Sequence, residues 1–243
     1  IKILAPKFDS LKKLTVFIPI EKAEEFTKTL HNAGAGNIGN YQECSFTSDG
    51  MGTFRPNEKS NPAIGQRNKL EHVRETKIEV ILPSHAEKNI LTAMQKAHPY
   101  EEVAYYLSKL DNQNQNLGSG AIGELPNEMR TEYFLDKIKA VFRAKTIRHT
   151  KQIKATVKRI AICGGAGSFL LKNAMAQNAD IFISSDFKYH EFFDADDKIM
   201  VADIGHYESE QYTKDLLQEI ISEKFPNIAV LLSKANTNPV FYT

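Results

Sequence analysis

Two fold classes share this chain, an α+β part over residues 12–112 and an α/β part over residues 113–243. Three observations predict the division. Residues 14–110 run strand, helix, strand, strand, helix, strand. The polar stretch Asp111-Asn-Gln-Asn-Gln-Asn116 then reads as a linker. Beyond it, short continuous apolar runs alternate with helical spacing, the mark of a mixed, mainly parallel sheet with helices on both faces.

The elements follow in order. Residues 1–11 hold a strand-like Ile-Lys-Ile-Leu-Ala, Pro6 and Asp9-Ser10, and read as the end of a preceding part. Because the chain opens on Ile1 and not on methionine, a fragment or a processed form is expected. Leu14-Thr-Val-Phe-Ile-Pro-Ile20 is a strand. Glu21 to His31 is a helix with Ala23, Phe26 and Leu30 on one side, stopped by Gly34-Ala-Gly36. Tyr41 to Phe54 alternates weakly around Gly50 and Gly52, as a bent strand or hairpin does. Asn57 to Asn68 is a polar surface loop. Val73 to Leu82 is a strand. A helix follows from Ser84 to about Ala97, with Ser84 as N-cap and Glu87 three residues on as a capping box. Glu102 to Leu110 completes the split βαβ order of ferredoxin-like domains. After the linker come a glycine-rich strand, Gly118 to Leu125, a helix from Asn127 to Phe142, and apolar strands at Arg159–Cys163, Asp180–Ser184 and Ile199–Ile204. A helix opens at His206 and runs to Phe225, and Ile228 to Leu232 reads as a last strand.

Bulk properties exclude several function classes. With 31 basic and 30 acidic residues the formal charge is +1, so a nucleic-acid groove or a membrane surface has no electrostatic signature here. No apolar run is long enough to span a bilayer. Cys44 and Cys163 lie far apart without metal or redox spacing, which suits small buried side chains in a reducing, cytoplasmic compartment.

The chemistry gathers at the C-terminal ends of the α/β strands, where ligands of such sheets bind. Ile204-Gly-His-Tyr-Glu-Ser-Glu210 places His206 and Glu210 four residues apart on one helix face, so both can point at one atom. An imidazole and a carboxylate so spaced make half of a divalent metal site. The same residues also read as a helix N-terminus with an acidic first turn. Glu208 falls on nearly the opposite face. Cys163-Gly-Gly-Ala-Gly-Ser168 offers backbone N–H groups to an anion or forms a plain turn; its spacing is neither a P-loop nor a dinucleotide fingerprint. In Ser184-Ser-Asp-Phe-Lys-Tyr-His190, Asp186 is placed to orient an imidazole or ligate through water, and His190 to act as a supporting group or an acid/base; both also read as solvated loop residues. His98-Pro-Tyr-Glu-Glu102 is read as architecture, with Pro99 stopping a helix and Tyr100 anchoring the turn.

Three stretches together, His98-Pro-Tyr-Glu-Glu-Val-Ala-Tyr105, Gly118-Ser-Gly-Ala-Ile-Gly-Glu-Leu125 and Ile204 to Glu210, with the glycine loop after Ile160-Ala-Ile-Cys163, resemble the NIF-three-like family, labelled GTP cyclohydrolase 1 type 2 homologues. The resemblance covers essentially all 243 residues. It implies a core of two similar α/β halves around a pair of divalent metal ions (Zn, Fe, Mn or similar), an inserted ferredoxin-like domain similar to PII and CutA proteins, and a toroidal homohexamer. On that reading residues 1–11 end an absent N-terminal core half, 12–112 are the insert, and 113–243 are the C-terminal half. His206 and Glu210 match the two metal ligands this half supplies. The family's paired histidines and aspartate have no match here. A divalent ion takes about four to six ligands, so weak or no metal binding and no catalysis are expected of this polypeptide alone.

Two functions remain open at this point. One is a dinuclear metal-dependent hydrolase-like protein acting on a small nucleotide-like, phosphorylated or ring-containing molecule, with His206 and Glu210 as ligands and His190 and Asp186 as catalytic candidates. The other is a non-enzymatic module, in which the ferredoxin-like domain senses a metal or metabolite, or binds a partner protein, and the α/β half is an assembly scaffold.

Overall fold

A computed structural model describes residues 1–114 and 116–243. The chain divides into two compact units, one formed by Lys7–Leu117 and one by Ile1–Pro6 with Gly118–Thr243. In chain order the strands are β1 (Lys2–Lys7), β2 (Leu11–Pro19), β3 (Ser45–Phe54), β4 (Glu71–Pro83), β5 (Tyr105–Lys109), β6 (Asn114–Arg130), β7 (Arg148–His149), β8 (Thr156–Ala166), β9 (Ile181–Ser185) and β10 (Met200–Asp203). The helices are α1 (Ala23–Asn32), α2 (Glu87–Ala97), α3 (Thr131–Phe142), α4 (Leu171–Ala176), α5 (His206–Glu210) and α6 (Thr213–Lys224).

The Lys7–Leu117 unit is a four-stranded antiparallel sheet in the order β3-β4-β2-β5. Period-2 alternation decides its faces. Leu14, Val16 and Ile18 of β2 and Ile78, Val80 and Leu82 of β4 are buried against Phe26 and Leu30 of α1 and Ile90 and Met94 of α2. Each such side chain contributes about 1.5–3 kcal/mol relative to exposure, and neither α1 nor α2 packs on the opposite face. The Ser84 capping box does not form. A single 3-10 turn, Ser84–Ala86, precedes α2, and Ser84 Oγ donates instead to the Asp9 carbonyl at 2.8 Å. His98 does serve the architecture. It is 8% exposed, with Nε2 2.8 Å from the Phe17 carbonyl and Nδ1 accepting from the Tyr100 amide at 3.1 Å.

The other unit is α/β, built on a six-stranded sheet in the order β1-β6-β8-β9-β10-β7. The sheet is mixed, as expected, with a parallel centre: β8, β9 and β10 pair in parallel, while β6 lies antiparallel to β8 and β7 antiparallel to β10. Both faces are covered. Phe182 and Val201 pack with Leu171 and Ala174 of α4, and Ile181, Ile183, Met200 and Ala202 pack with Phe134 and Ile138 of α3.

Three expectations fail here, each through tertiary pairing or its lack. The helix expected from Asn127 begins at Thr131, because β6 resumes beyond Pro126: the register shifts between Glu124 and Met129, and Met129 and Arg130 then pair with Val157 and Thr156. The single helix from His206 to Phe225 is two, α5 and α6, broken at Gln211-Tyr212. Ile228 to Leu232 forms no strand. The outer edge of β10 is taken by β7, and the Val230 carbonyl accepts instead from Gln218 Nε2 of α6 at 2.9 Å.

Candidate functional site

In the Gly118–Thr243 unit three strands end at one place. The end of β8, where its register with β9 shifts between Ile162 and Ala166, is tied to the other two by hydrogen bonds. The Gly165 carbonyl accepts from Ser184 Oγ (3.1 Å) and Ser185 Oγ (2.6 Å) at the end of β9, and the Gly165 amide donates to Ser209 Oγ at 2.8 Å in α5. Ser209 Oγ in turn donates to the His206 carbonyl at 2.8 Å. Position 165 favours glycine: its φ is +63°, and a Cβ would stand 2.4 Å from Glu210 Oε1, displacing that carboxylate, and 3.4 Å from His206 Cε1.

Around this clasp sit three titratable side chains, each about half exposed. Asp186 Oδ2 lies 2.6 Å from His206 Nδ1, and Glu210 Oε2 lies 3.1 Å from His206 Nε2. Asp186 follows β9 in the left-handed region, at φ +58°, which aspartate adopts at lower cost than most residues. The hydrogen bond that His206 donates to Asp186 raises the imidazole above its usual value; partial burial opposes this, and the Glu210 carboxylate adds to it. In the neutral ring, a proton held on Nδ1 by Asp186 leaves the Nε2 lone pair facing Glu210.

That arrangement fits one half of a divalent metal centre. Nε2 and the Glu210 carboxylate, 3.1 Å apart, are donor types that a divalent ion takes, and a carboxylate behind the imidazole is the usual support for a metal-bound histidine. Among the described residues, no group of three or more histidine, cysteine, aspartate or glutamate side chains converges on one point, so a firm site needs further donors.

The structure thus brings Asp186, His206 and Glu210 together and does not bring His190 to them. His190 lies in the 3-10 turn Tyr189–Ala195, its ring edge-on to Tyr189 at 5.6 Å. Glu208, 6% exposed, turns inward, with Asn238 Nδ2 3.5 Å from its Oε1. Asp203, at the end of β10, is ion-paired with Arg148 and accepts from the Phe187 and Gly205 amides at 3.1 Å each. Cys163 flanks the glycine turn, its thiol pushed up by burial and then by Glu210. A cleft of about 830 Å³ opens beside His206 and Glu210, also lined by Arg148, Glu208, Lys214 and Tyr242. Sequence reading missed Ser209, Ser184 and Ser185 as the fasteners of this site. The two polar residues closing the apolar run of β9 were the available signal.

Comparison with known proteins places the chain among relatives. The family model described as Duf34/NIF3 (NGG1p interacting factor 3) matches residues 13–239. A protein named GTP cyclohydrolase 1 type 2 homolog from Halalkalibacterium halodurans is 37% identical over 98% of the chain and 66% of its own length. Its namesake from Bacillus subtilis is 36% identical over 98% and 65%. Among solved structures, a Bacillus cereus protein related to NIF3 superposes with a TM-score of 0.80 at 36% identity, covering 99% of this chain and 65% of that one. A Staphylococcus aureus protein superposes with a TM-score of 0.67 at 28% identity, over 100% and 64%. The chain therefore spans about two thirds of the length of the curated relatives it matches.

Proposed function

The chain belongs to the Duf34/NIF3 family, and from that premise we propose that it is part of a protein that holds two divalent metal ions and hydrolyses a small ring-containing or phosphorylated molecule. The name carried by its curated relatives, GTP cyclohydrolase 1 type 2 homolog, suggests the reaction class. The observation that carries the reading is the imidazole of His206 held between two carboxylates, Asp186 at 2.6 Å behind Nδ1 and Glu210 at 3.1 Å before Nε2.

In this reading His206 and Glu210 are metal ligands. A divalent ion bound there supplies a water of lowered pKa and stabilises charge on the attacked group. Asp186 positions the ring through Nδ1 and keeps its Nε2 lone pair directed at the ion. Gly165 leaves the space the Glu210 carboxylate occupies, and the Ser209 clasp fixes the turn that carries both ligands. The remaining ligands come from parts of the longer protein outside this chain. The strand order β3-β4-β2-β5 and its two helices support a ferredoxin-like insert over residues 12–112. Assembly as a homohexamer and a cytoplasmic location complete the proposal.

Turnover tests it. Metal-loaded protein of the relatives' full length, offered GTP and related purine and pteridine substrates, releases product, and His206→Ala abolishes release while the circular dichroism spectrum is unchanged. Turnover unaffected by that substitution contradicts the assignment.

A further inference from the structure

The face of the Lys7–Leu117 sheet turned away from α1 and α2 carries its own cavity. Because Leu14, Val16, Ile78 and Val80 point at the helices, Phe17 and Glu75 point the other way, as do Gly50, paired with Glu75, and Tyr106, paired with Thr15. A cleft of about 470 Å³ opens there, walled by Phe17, Phe54, Tyr100 and Tyr106. The rings stand in two pairs, Phe17 edge-on to Tyr106 at 5.8 Å and Phe54 tilted against Tyr100 at 6.0 Å. Gly50 and Gly52 leave the floor of β3 bare beside Glu75; a Cβ at Gly52 would stand 2.0 Å from Glu75 Oε2, in the space its carboxylate fills.

The far wall is the loop between β3 and β4, and it is fastened. The Asn68 amide donates to the Pro56 carbonyl at 2.7 Å, Arg67 Nε donates to the Ser60 carbonyl at 2.9 Å, and the Asn61 amide donates to Glu101 Oε1 at 2.8 Å. The cleft is therefore preformed. Glu75, Glu101 and Glu102 line it against a single cation among the described lining residues, Arg55. The Tyr100 hydroxyl is buried beside the Glu75 carboxylate, and burial together with Glu75 pushes it up.

Aromatic faces attract a cation through the ring quadrupole, and a carboxylate beside them adds Coulombic attraction. An anion meets repulsion from three carboxylates, and a neutral molecule gains nothing from the charge. We propose that this cleft binds a small organic ammonium cation, a quaternary or methylated amine, against the rings of Phe17, Tyr100 and Tyr106 with Glu75 as counter-ion. The site lies within the Lys7–Leu117 unit, and no step of the proposed hydrolysis depends on it.

Titration of the 243-residue chain with choline, followed by calorimetry, tests the assignment, with the neutral isostere 3,3-dimethylbutan-1-ol as control. Choline binds saturably, and the alcohol binds at least about tenfold more weakly. Tyr106→Ala, at a position 63% exposed and outside the core, weakens choline by roughly fivefold or more, and so does Glu75→Gln. His206→Ala leaves choline affinity unchanged. Absence of saturable choline binding, equal affinity for the alcohol, or full binding by both cleft variants overturns the proposal.

Discussion

Two histidines of this chain show how one side chain serves opposite ends. His98 is 8% exposed, and both its ring nitrogens are spent on backbone, Nε2 on the Phe17 carbonyl and Nδ1 on the Tyr100 amide. Burial, the largest influence, holds it below the usual imidazole value. His206 is half exposed, and both its nitrogens face carboxylates, of which Asp186 raises it. A ring satisfied by main chain is fixed as neutral structure. A ring held between carboxylates on a cleft wall keeps its proton more tightly and stays open to solvent. Both sit beside acidic residues, and in the sequence only Pro99 and Tyr100 mark the His98 turn as architecture.

The contrast is broken most severely at His98. His98→Ala leaves the Phe17 carbonyl and the Tyr100 amide without partners and removes the edge-on contact with Phe26 at 5.4 Å. Loss of about 3 kcal/mol is expected, read as a lowered denaturant midpoint. His206→Ala, on an exposed turn, moves the same midpoint by less than about 1 kcal/mol. Equal costs at the two positions collapse the distinction.

The next effect is on affinity. Asp186→Asn removes the carboxylate behind Nδ1 while keeping the shape of the side chain. It is expected to weaken metal binding about 10- to 100-fold with little change in fold. Calorimetric titration with Zn²⁺ or Mn²⁺, in protein that holds the metal, reads this directly; unchanged affinity removes Asp186 from the account.

A smaller effect separates the histidines by pH. His98 is depressed in the fold relative to the ordinary 6.5 of the unfolded chain. Below about that pH the unfolded state takes up a proton that the folded ring refuses, so stability is complete above the unfolded value and falls as pH drops toward the folded one. The slope reaches at most about 1.4 kcal/mol per pH unit within that window. Replacing His98 with glutamine flattens this part of the stability profile. A profile that keeps its slope assigns it elsewhere.

How far the sequence spoke follows from which interactions are local. The period-2 alternation of Leu14–Ile18 and Ile78–Leu82, the helical spacing of Phe26 and Leu30, and the unbroken apolar runs of β8 to β10 were legible, because each element's buried face is written in its own residues. The i, i+4 spacing of His206 and Glu210 was legible for the same reason. What stayed hidden depends on partners distant in sequence. Asn127 to Arg130 has helical company in Thr131–Phe142 and is nevertheless held in β6 by Val157 and Thr156. Ser84 has the composition of a cap but is claimed by the Asp9 carbonyl. Ile228 to Leu232 has β propensity with no ladder to join. The clasp of Ser209, Gly165, Ser184 and Ser185 joins residues up to 44 positions apart, which no local pattern reports.

The central claim is that His206 and Glu210 are metal ligands and His98 is not. Elemental analysis tests it most directly, on protein carrying these residues together with the remaining third of the length found in its relatives, beside its His206→Ala, Glu210→Ala and His98→Gln variants. The account predicts close to two divalent ions per chain, loss of metal in the first two variants, and retention in the third. Protein that stays metal-free after reloading, or that keeps its full metal content without His206 and Glu210, contradicts it.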